Sequence, residues 1–218
     1  MTAIPRLPPF RRGMRIGLLG GSFNPPHQGH ALVTRMAVTR LRLDRVWWLV
    51  TPGNPLKSQA DLAALQARVE AARHLIESPR VAVTDIETHI GARYTYDTLA
   101  WLMRRAAGVR FVWIMGADNL RQFHLWRHWR DIADLVPIAV VDRPGSTLRA
   151  MSSRAAVALN RWRVPEAEAA RFADRRPPAF LFLHGPRSEL SSTVLRRRGS
   201  ASRLPLNARA EVRRAAPG

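Results

Sequence analysis

Six short apolar runs punctuate the chain. The first, RIGLL at 15–19, is continuous and ends at Gly20-Gly21, the signature of a strand buried on both faces that enters a loop. VWWLV at 46–50, VAVTDI at 81–86, FVWIM at 111–115, IAVV at 138–141 and FLFL at 180–183 repeat it. Between the first two runs Val33, Met36, Ala37 and Leu41 recur at helical spacing. Leu62, Leu65, Val69, Ala72 and Ile76 mark a second helical stripe, and 98–107 reads as a third helix. Strands alternating with helices predict an α/β fold built on a doubly wound parallel sheet. Ligands of such sheets sit beyond the carboxyl ends of the strands, so the loops after RIGLL and FVWIM are where chemistry is expected. The Arg-, Ala- and Pro-rich stretch 142–176 reads as a surface insertion or a helical cover.

Composition narrows the class. A chain of 218 residues with 46% hydrophobic content and 7 Trp can bury one substantial core. Its apolar runs fall short of the roughly 18 residues of a membrane span, and the opening segment lacks the apolar stretch of a secretory signal. The expectation is a cytoplasmic protein with no membrane partner. The absence of Cys excludes disulfides, thiolate metal sites and cysteine nucleophiles. A formal charge of +19 suggests a polyanionic partner. However, Lys57 is the only lysine among 35 basic residues, and the arginines are scattered rather than gathered in one stripe. That pattern reads as a compositional bias, and no specific nucleic-acid partner is expected. Composition leaves the oligomeric state open, a homo-oligomer included.

The first loop carries the strongest signal: Gly20-Gly21-Ser22-Phe23-Asn24-Pro25-Pro26-His27-Gln28-Gly29-His30. Glycines after a strand let backbone approach a phosphate, and a helix opening near His27 aims free N–H groups and its positive dipole end at an anion. His27 and His30 share one face of the first turn, with Gly29 leaving space for ligand. Two imidazoles there can donate to α-phosphate oxygens as charge builds during a displacement. A Gly-Gly turn alone would be merely structural. The joint pattern is far more specific.

GGSFNPPHQGH resembles the signature of the nucleotidyltransferase superfamily, and this variant is most similar to the bacterial nicotinate mononucleotide adenylyltransferases. The resemblance implies a Rossmann-like nucleotidyltransferase domain over 13–198 with basic tails at 1–12 and 199–218. It also implies adenylyl transfer from ATP to nicotinate mononucleotide in NAD biosynthesis, with Mg²⁺ accompanying ATP and no metal-ligating residues. Catalytic roles fall to His27, His30 and Arg196, the last in Leu190-Ser191-Ser192-Thr193-Val194-Leu195-Arg196, which is similar to the superfamily's second signature. Ser191, Ser192 and Thr193 would cap a helix and offer hydroxyls to phosphate, and Arg196 would reach the β and γ phosphates. An ordinary N-capped helix is the plain alternative.

ATP binding is further implied for Gly20, Gly21, Ser22, Phe23 and Gly29. Gly116 and Asp118 resemble a segment that meets the adenosine ribose, although Asp is also a common N-cap. Lys57 follows Asn54-Pro55-Leu56, similar to a Pro-Pro-His-Lys stretch but with Leu56 where His is frequent. The mononucleotide falls to Asn24, to Tyr94 and Thr95 of a Tyr-Thr segment whose amides meet a carboxylate, to Trp126 as a stacking platform, and to Arg127. Core packing is the other fate of Trp126. Rival readings are a phosphopantetheine adenylyltransferase or cytidylyltransferase, and a basic nucleic-acid-binding module on an inactive nucleotide fold. A class I aminoacyl-tRNA synthetase shares the His-x-Gly-His logic, but the chain is too short and lacks a Lys-Met-Ser-Lys-Ser loop.

Overall fold

Each of the six apolar runs forms a strand, and the six make one parallel sheet in the order β3-β2-β1-β4-β5-β6. A computed structural model describes residues 5–53, 60–142 and 150–184. The strands are β1 (Arg15–Gly21), β2 (Arg45–Val50), β3 (Val81–Thr84), β4 (Arg110–Gly116), β5 (Ile138–Val141) and β6 (Phe180–Leu183). The helices are α1 (Gln28–Arg40), α2 (Leu65–Leu75), α3 (Ile86–His89), α4 (Thr95–Arg105), α5 (Ala117–Phe123), α6 (Trp129–Leu135) and α7 (Arg154–Leu159). Strand order reverses direction between β1 and β4, which pair from Arg15↔Arg110 to Leu19↔Ile114. That reversal is the switch point where a crevice opens in this class of sheet.

The runs are continuous because both faces of the sheet are covered. Ile16, Leu18, Trp47, Leu49, Trp113 and Met115 point into one core layer, with α4, α5 and α6. Leu19, Val46, Trp48, Val50, Val112 and Ile114 point into the other, with α1 and α2. Of the two readings of the 142–176 stretch, surface insertion or helical cover, the described part, 150–176, forms a helical cover. Leu159 of α7 packs into the first layer, whereas Phe172, in the 3₁₀ segment Glu166–Asp174, packs into the second. Leu7 and Phe10 also lie against the first layer, Phe10 edge-on to Trp47 at 6.2 Å.

One strand is shorter than its apolar pattern implied. VAVTDI reads as extended to Ile86, yet β3 ends at Thr84, which pairs with Leu49, one residue before β2 itself ends. Beyond it the chain turns into α3, and Ile86 reaches the same core from a helical turn with 1% exposure. Burial was legible in the residue type, but the backbone that achieves it was not. The helix read at 98–107 begins three residues earlier, at Thr95, and Leu62 precedes α2. Among the described residues no helix is long and apolar enough to cross a membrane.

Candidate active site

The site grows from the first turn of α1. His27 is its N-cap, with extended backbone (φ −151°, ψ 168°), and its Nδ1 accepts the Gly29 N–H at 3.1 Å. The Nδ1 of His30 accepts the His27 N–H at 3.2 Å. This is a reciprocal capping box made by two imidazoles in place of the usual hydroxyl and carboxyl groups. A nitrogen that accepts a hydrogen bond carries no proton, so each neutral ring has its N–H at Nε2. Both rings therefore keep Nε2–H as a donor, and their centroids stand 3.9 Å apart.

The support behind them is aromatic. Phe23, 1% exposed and with φ 45°, stacks on Trp48 at 4.8 Å and leans on His30 at 4.7 Å. Trp48 Nε1 donates to Thr34 Oγ1 at 2.8 Å, and that hydroxyl donates to the His30 carbonyl at 2.9 Å. Phe23 is thus a support for the histidine pair. Asn24 Nδ2 donates to Asp61 O at 2.8 Å and its Oδ1 accepts the Ala63 N–H at 3.3 Å, so its amide holds the chain ahead of α2 against the first loop.

The chain leading into this turn lines an open cavity of about 250 Å³. It brings together Gly20 and Gly21 from the end of β1 and Ser22 from the loop after it with Tyr94, Thr95, Trp126 and Arg127. Tyr94 caps α4 and Thr95 opens it, so first-turn N–H groups border the cavity. The Arg127 and Arg93 guanidinium carbons sit 4.9 and 5.8 Å from the centre of the Tyr94 ring. Trp126 stands edge-on to Trp113 at 6.1 Å and to Phe123 at 5.4 Å, so it both packs on the core and faces the cavity.

His27, Gly29 and His30 lie outside the cavity wall, as do Phe23, Asn24, Gly116 and Asp118. Gly116 ends β4 and caps α5, and Asp118 is in the first turn of that helix, so Asp118 is not the N-cap. Lys57, Ser191, Ser192, Thr193 and Arg196 fall outside the described residues.

Three residues not singled out by the sequence stand at this site. Arg68 of α2 is 3% exposed, and its guanidinium donates to Ala63 O at 2.8 Å, Ser22 O at 2.6 Å, Thr51 O at 2.8 Å and Pro52 O at 3.3 Å. Burial pushes its pKa down from the ordinary value, but a guanidinium stays charged at neutral pH. It thus places a cation behind the loops after β1 and β2. Glu87 and Thr51 line the cavity, and burial pushes the Glu87 carboxyl up, against hydrogen bonds with Thr51 and Thr98. Arg68 stands beside Leu65 and Ala72 on the apolar stripe of its helix, and Glu87 followed a run that read as strand; neither position carried a motif.

A family model described as cytidylyltransferase-like matches residues 18–198. The chain is 62% identical over 185 residues to a protein of Methylorubrum extorquens named as probable nicotinate-nucleotide adenylyltransferase, covering 85% of this chain and 100% of that one. A protein of the same name from a Bradyrhizobium species is 59% identical over 183 residues, 84% of this chain and 95% of that one. Among solved structures, the nicotinic acid mononucleotide adenylyltransferase of Plasmodium falciparum complexed with NaAD shares the fold. Its TM-score is 0.62 at 18% identity, covering 84% of this chain and 82% of that one.

Proposed function

Because the chain belongs to the cytidylyltransferase-like nucleotidyltransferases, and within them to the nicotinate-nucleotide adenylyltransferases, we propose that it joins nicotinate mononucleotide to the AMP part of ATP. The products are pyrophosphate and the deamido dinucleotide precursor of NAD. The observation that supports this reading is the segment Gly20-Gly21-Ser22, which lines a cavity together with Tyr94, Thr95, Trp126 and Arg127 and leads directly into the α1 turn where His27 and His30 cap each other.

In the reaction a phosphate oxygen of the mononucleotide attacks the α-phosphorus of ATP in line, a new P–O bond forms, and the bond to the pyrophosphate oxygen breaks. The nucleophile is already an anion, so no general base is needed, and positioning with charge stabilisation supplies the catalysis. His27 and His30 donate from Nε2 to the α-phosphate oxygens, where charge accumulates. Gly20, Gly21 and Ser22 allow the triphosphate close to backbone, and Gly29 leaves room between the imidazoles. Mg²⁺ arrives with the triphosphate as part of the substrate. Arg196, Lys57, Ser191, Ser192 and Thr193 serve the β and γ phosphates, and Gly116 and Asp118 the adenosine. Trp126 stacks on the pyridine ring, while first-turn amides at Thr95 and the cation of Arg127 favour its carboxylate.

The test is pyrophosphate release from ATP and Mg²⁺ with nicotinate mononucleotide, nicotinamide mononucleotide or phosphopantetheine as second substrate. Release is expected with nicotinate mononucleotide above the other two. Release only with phosphopantetheine, or none with any acceptor, overturns the reading.

A further inference from the structure

A second cleft opens on the face of the sheet covered by α4, α5 and α6, between α6 and the 3₁₀ turn Asn160–Trp162 that follows α7. Its volume is about 370 Å³, and it shares no residue with the cavity described above. Small-molecule sites span roughly 300–1,000 Å³, so the cleft can hold one ligand.

Its wall pairs two tryptophans with two arginines. The Arg161 guanidinium carbon lies 3.7 Å from the centre of the Trp162 ring, and that of Arg130 lies 4.6 Å from the centre of the Trp129 ring. The shorter distance is about that of carbon atoms in contact, so the Arg161 guanidinium rests on the ring face. A guanidinium held by its flat face keeps its N–H edge free for acceptors. Among the described residues neither arginine has an ion pair or a hydrogen-bond acceptor. Cations braced in this way lose less side-chain freedom when an anion arrives.

The rest of the wall narrows the ligand. Trp129, 8% exposed, is anchored edge-on to Phe123 at 5.8 Å, and Trp162 is half-buried against the same core layer. With buried Leu159 they form an apolar wall suited to a flat ring. Asp134, one turn after Arg130, also lines the cleft. Its carboxylate has no partner among the described residues, because the neighbouring His128 pairs with Asp131 at 2.9 Å. A bare anion would meet Asp134 as a like charge. A ligand that carries hydroxyl or amine donors apart from its negative group satisfies the carboxylate and both arginines.

We infer that this cleft is a second ligand site, for a nucleoside monophosphate. The phosphate meets the N–H edges of Arg130 and Arg161, a sugar hydroxyl or ring amine donates to Asp134, and the base lies against Trp162 and Leu159. The inference is independent of the function proposed above.

The probe is AMP, titrated into the ¹⁵N-labelled full chain and read at the seven indole N–H resonances. Trp129→Phe and Trp162→Phe assign the two that matter. Both resonances should shift and saturate, and Arg130→Ser with Arg161→Ser should weaken that response about tenfold or more. Both arginines are exposed, so the double variant should melt as the wild type does. Trp162→Leu keeps both charges and removes the ring beneath the base, and read at Trp129 it should weaken AMP by a similar factor.

AMP bound only in the first cavity could reach Trp129 through Phe123, which contacts Trp126 at 5.4 Å. Shifts that persist unchanged in the double arginine variant would reveal that route and overturn the inference. So would the lack of a saturable shift by about 10 mM AMP, beyond the weak end of specific binding. An equal response to inorganic phosphate, or wild-type AMP binding by Trp162→Leu, would overturn the assignment to a nucleotide.

Discussion

A Cβ built on Gly20 falls 2.5 Å from Cη2 of Trp113, so the glycine at the end of β1 and the indole on β4 divide one space between them. Trp113 is 2% exposed and stands edge-on to Trp126, so its ring cannot swing aside as the end of a flexible chain would.

Gly20→Ala should therefore cost about 1–3 kcal/mol and raise the mononucleotide KM, because the displaced ring belongs to the cavity wall. Trp113→Phe removes the colliding atoms, and in that background the same change should cost less than about 1 kcal/mol. Denaturant unfolding of the four proteins measures the coupling. Additive costs would mean that the two side chains do not compete.

Gly21 behaves differently. A Cβ there meets nothing closer than Phe23 Cε2 at 3.4 Å, an ordinary contact, so the protein has room for alanine. Gly21→Ala should stay within about 0.5 kcal/mol of wild-type stability yet slow pyrophosphate release about tenfold or more, if triphosphate backbone contacts occur here. Full activity in this well-folded variant would take the phosphate role away from Gly21.

The contrast between these glycines shows what the sequence could tell. Six apolar runs located every strand of the sheet, because burial on both faces leaves no other composition for a central parallel strand. The reach of β3 was not legible, because Ile86 satisfies the same core from a helix. His27 and His30 were readable as a pair from their spacing, but their mutual capping was not, since histidine is an uncommon cap. Phe23 reads as part of a ligand loop and serves as the wall behind His30. Arg68 and Glu87 were invisible, because their roles depend on the carbonyls of Ser22, Thr51 and Pro52 and on two threonine hydroxyls brought together only by the fold.

Capping and catalysis at His27 can be separated. Asn is a strong N-cap and would replace the Nδ1 acceptor for the Gly29 N–H, so His27→Asn should keep stability within about 0.5 kcal/mol. Its turnover should nevertheless fall on the order of 100-fold, with both KM values nearly unchanged, because the proposed donor to the α-phosphate is gone. His27→Ala should show the same loss of turnover and in addition lose about 1 kcal/mol of stability. If His27→Asn turns over at the wild-type rate, the imidazole acts only as a cap.

Asp174 ties the helical cover to the sheet through Arg15 at 2.7 Å and Arg110 at 2.5 Å, at the starts of β1 and β4. Burial alone would raise its carboxyl, but the hydrogen bonds and charges of the two arginines outweigh this and hold the pKa below the ordinary value. A depressed carboxylate adds stability above its unfolded pKa, near about 4, and loses that contribution as pH falls through the folded value. Since the group is about one-third exposed, Asp174→Asn should cost no more than about 1 kcal/mol at pH 7. The difference from wild type should shrink below about pH 4. Thermal melts across that range measure it, and a gap that stays constant with pH would show that ionisation of Asp174 is irrelevant.

Arg68 offers the sharpest separation of charge from scaffolding. Its guanidinium spans four carbonyls on three segments of chain, which a single ammonium cannot do. Arg68→Lys keeps the charge but leaves buried carbonyls without donors, so it should lose about 2–4 kcal/mol. Arg68→Met keeps much of the volume and loses both functions. If the buried cation also lends positive potential to the loops after β1 and β2, the KM for ATP should rise about threefold in Arg68→Lys and tenfold or more in Arg68→Met, measured below the melting temperature of both. Equal KM values in the two variants would mean that Arg68 acts solely by holding Ser22 and Thr51 in place.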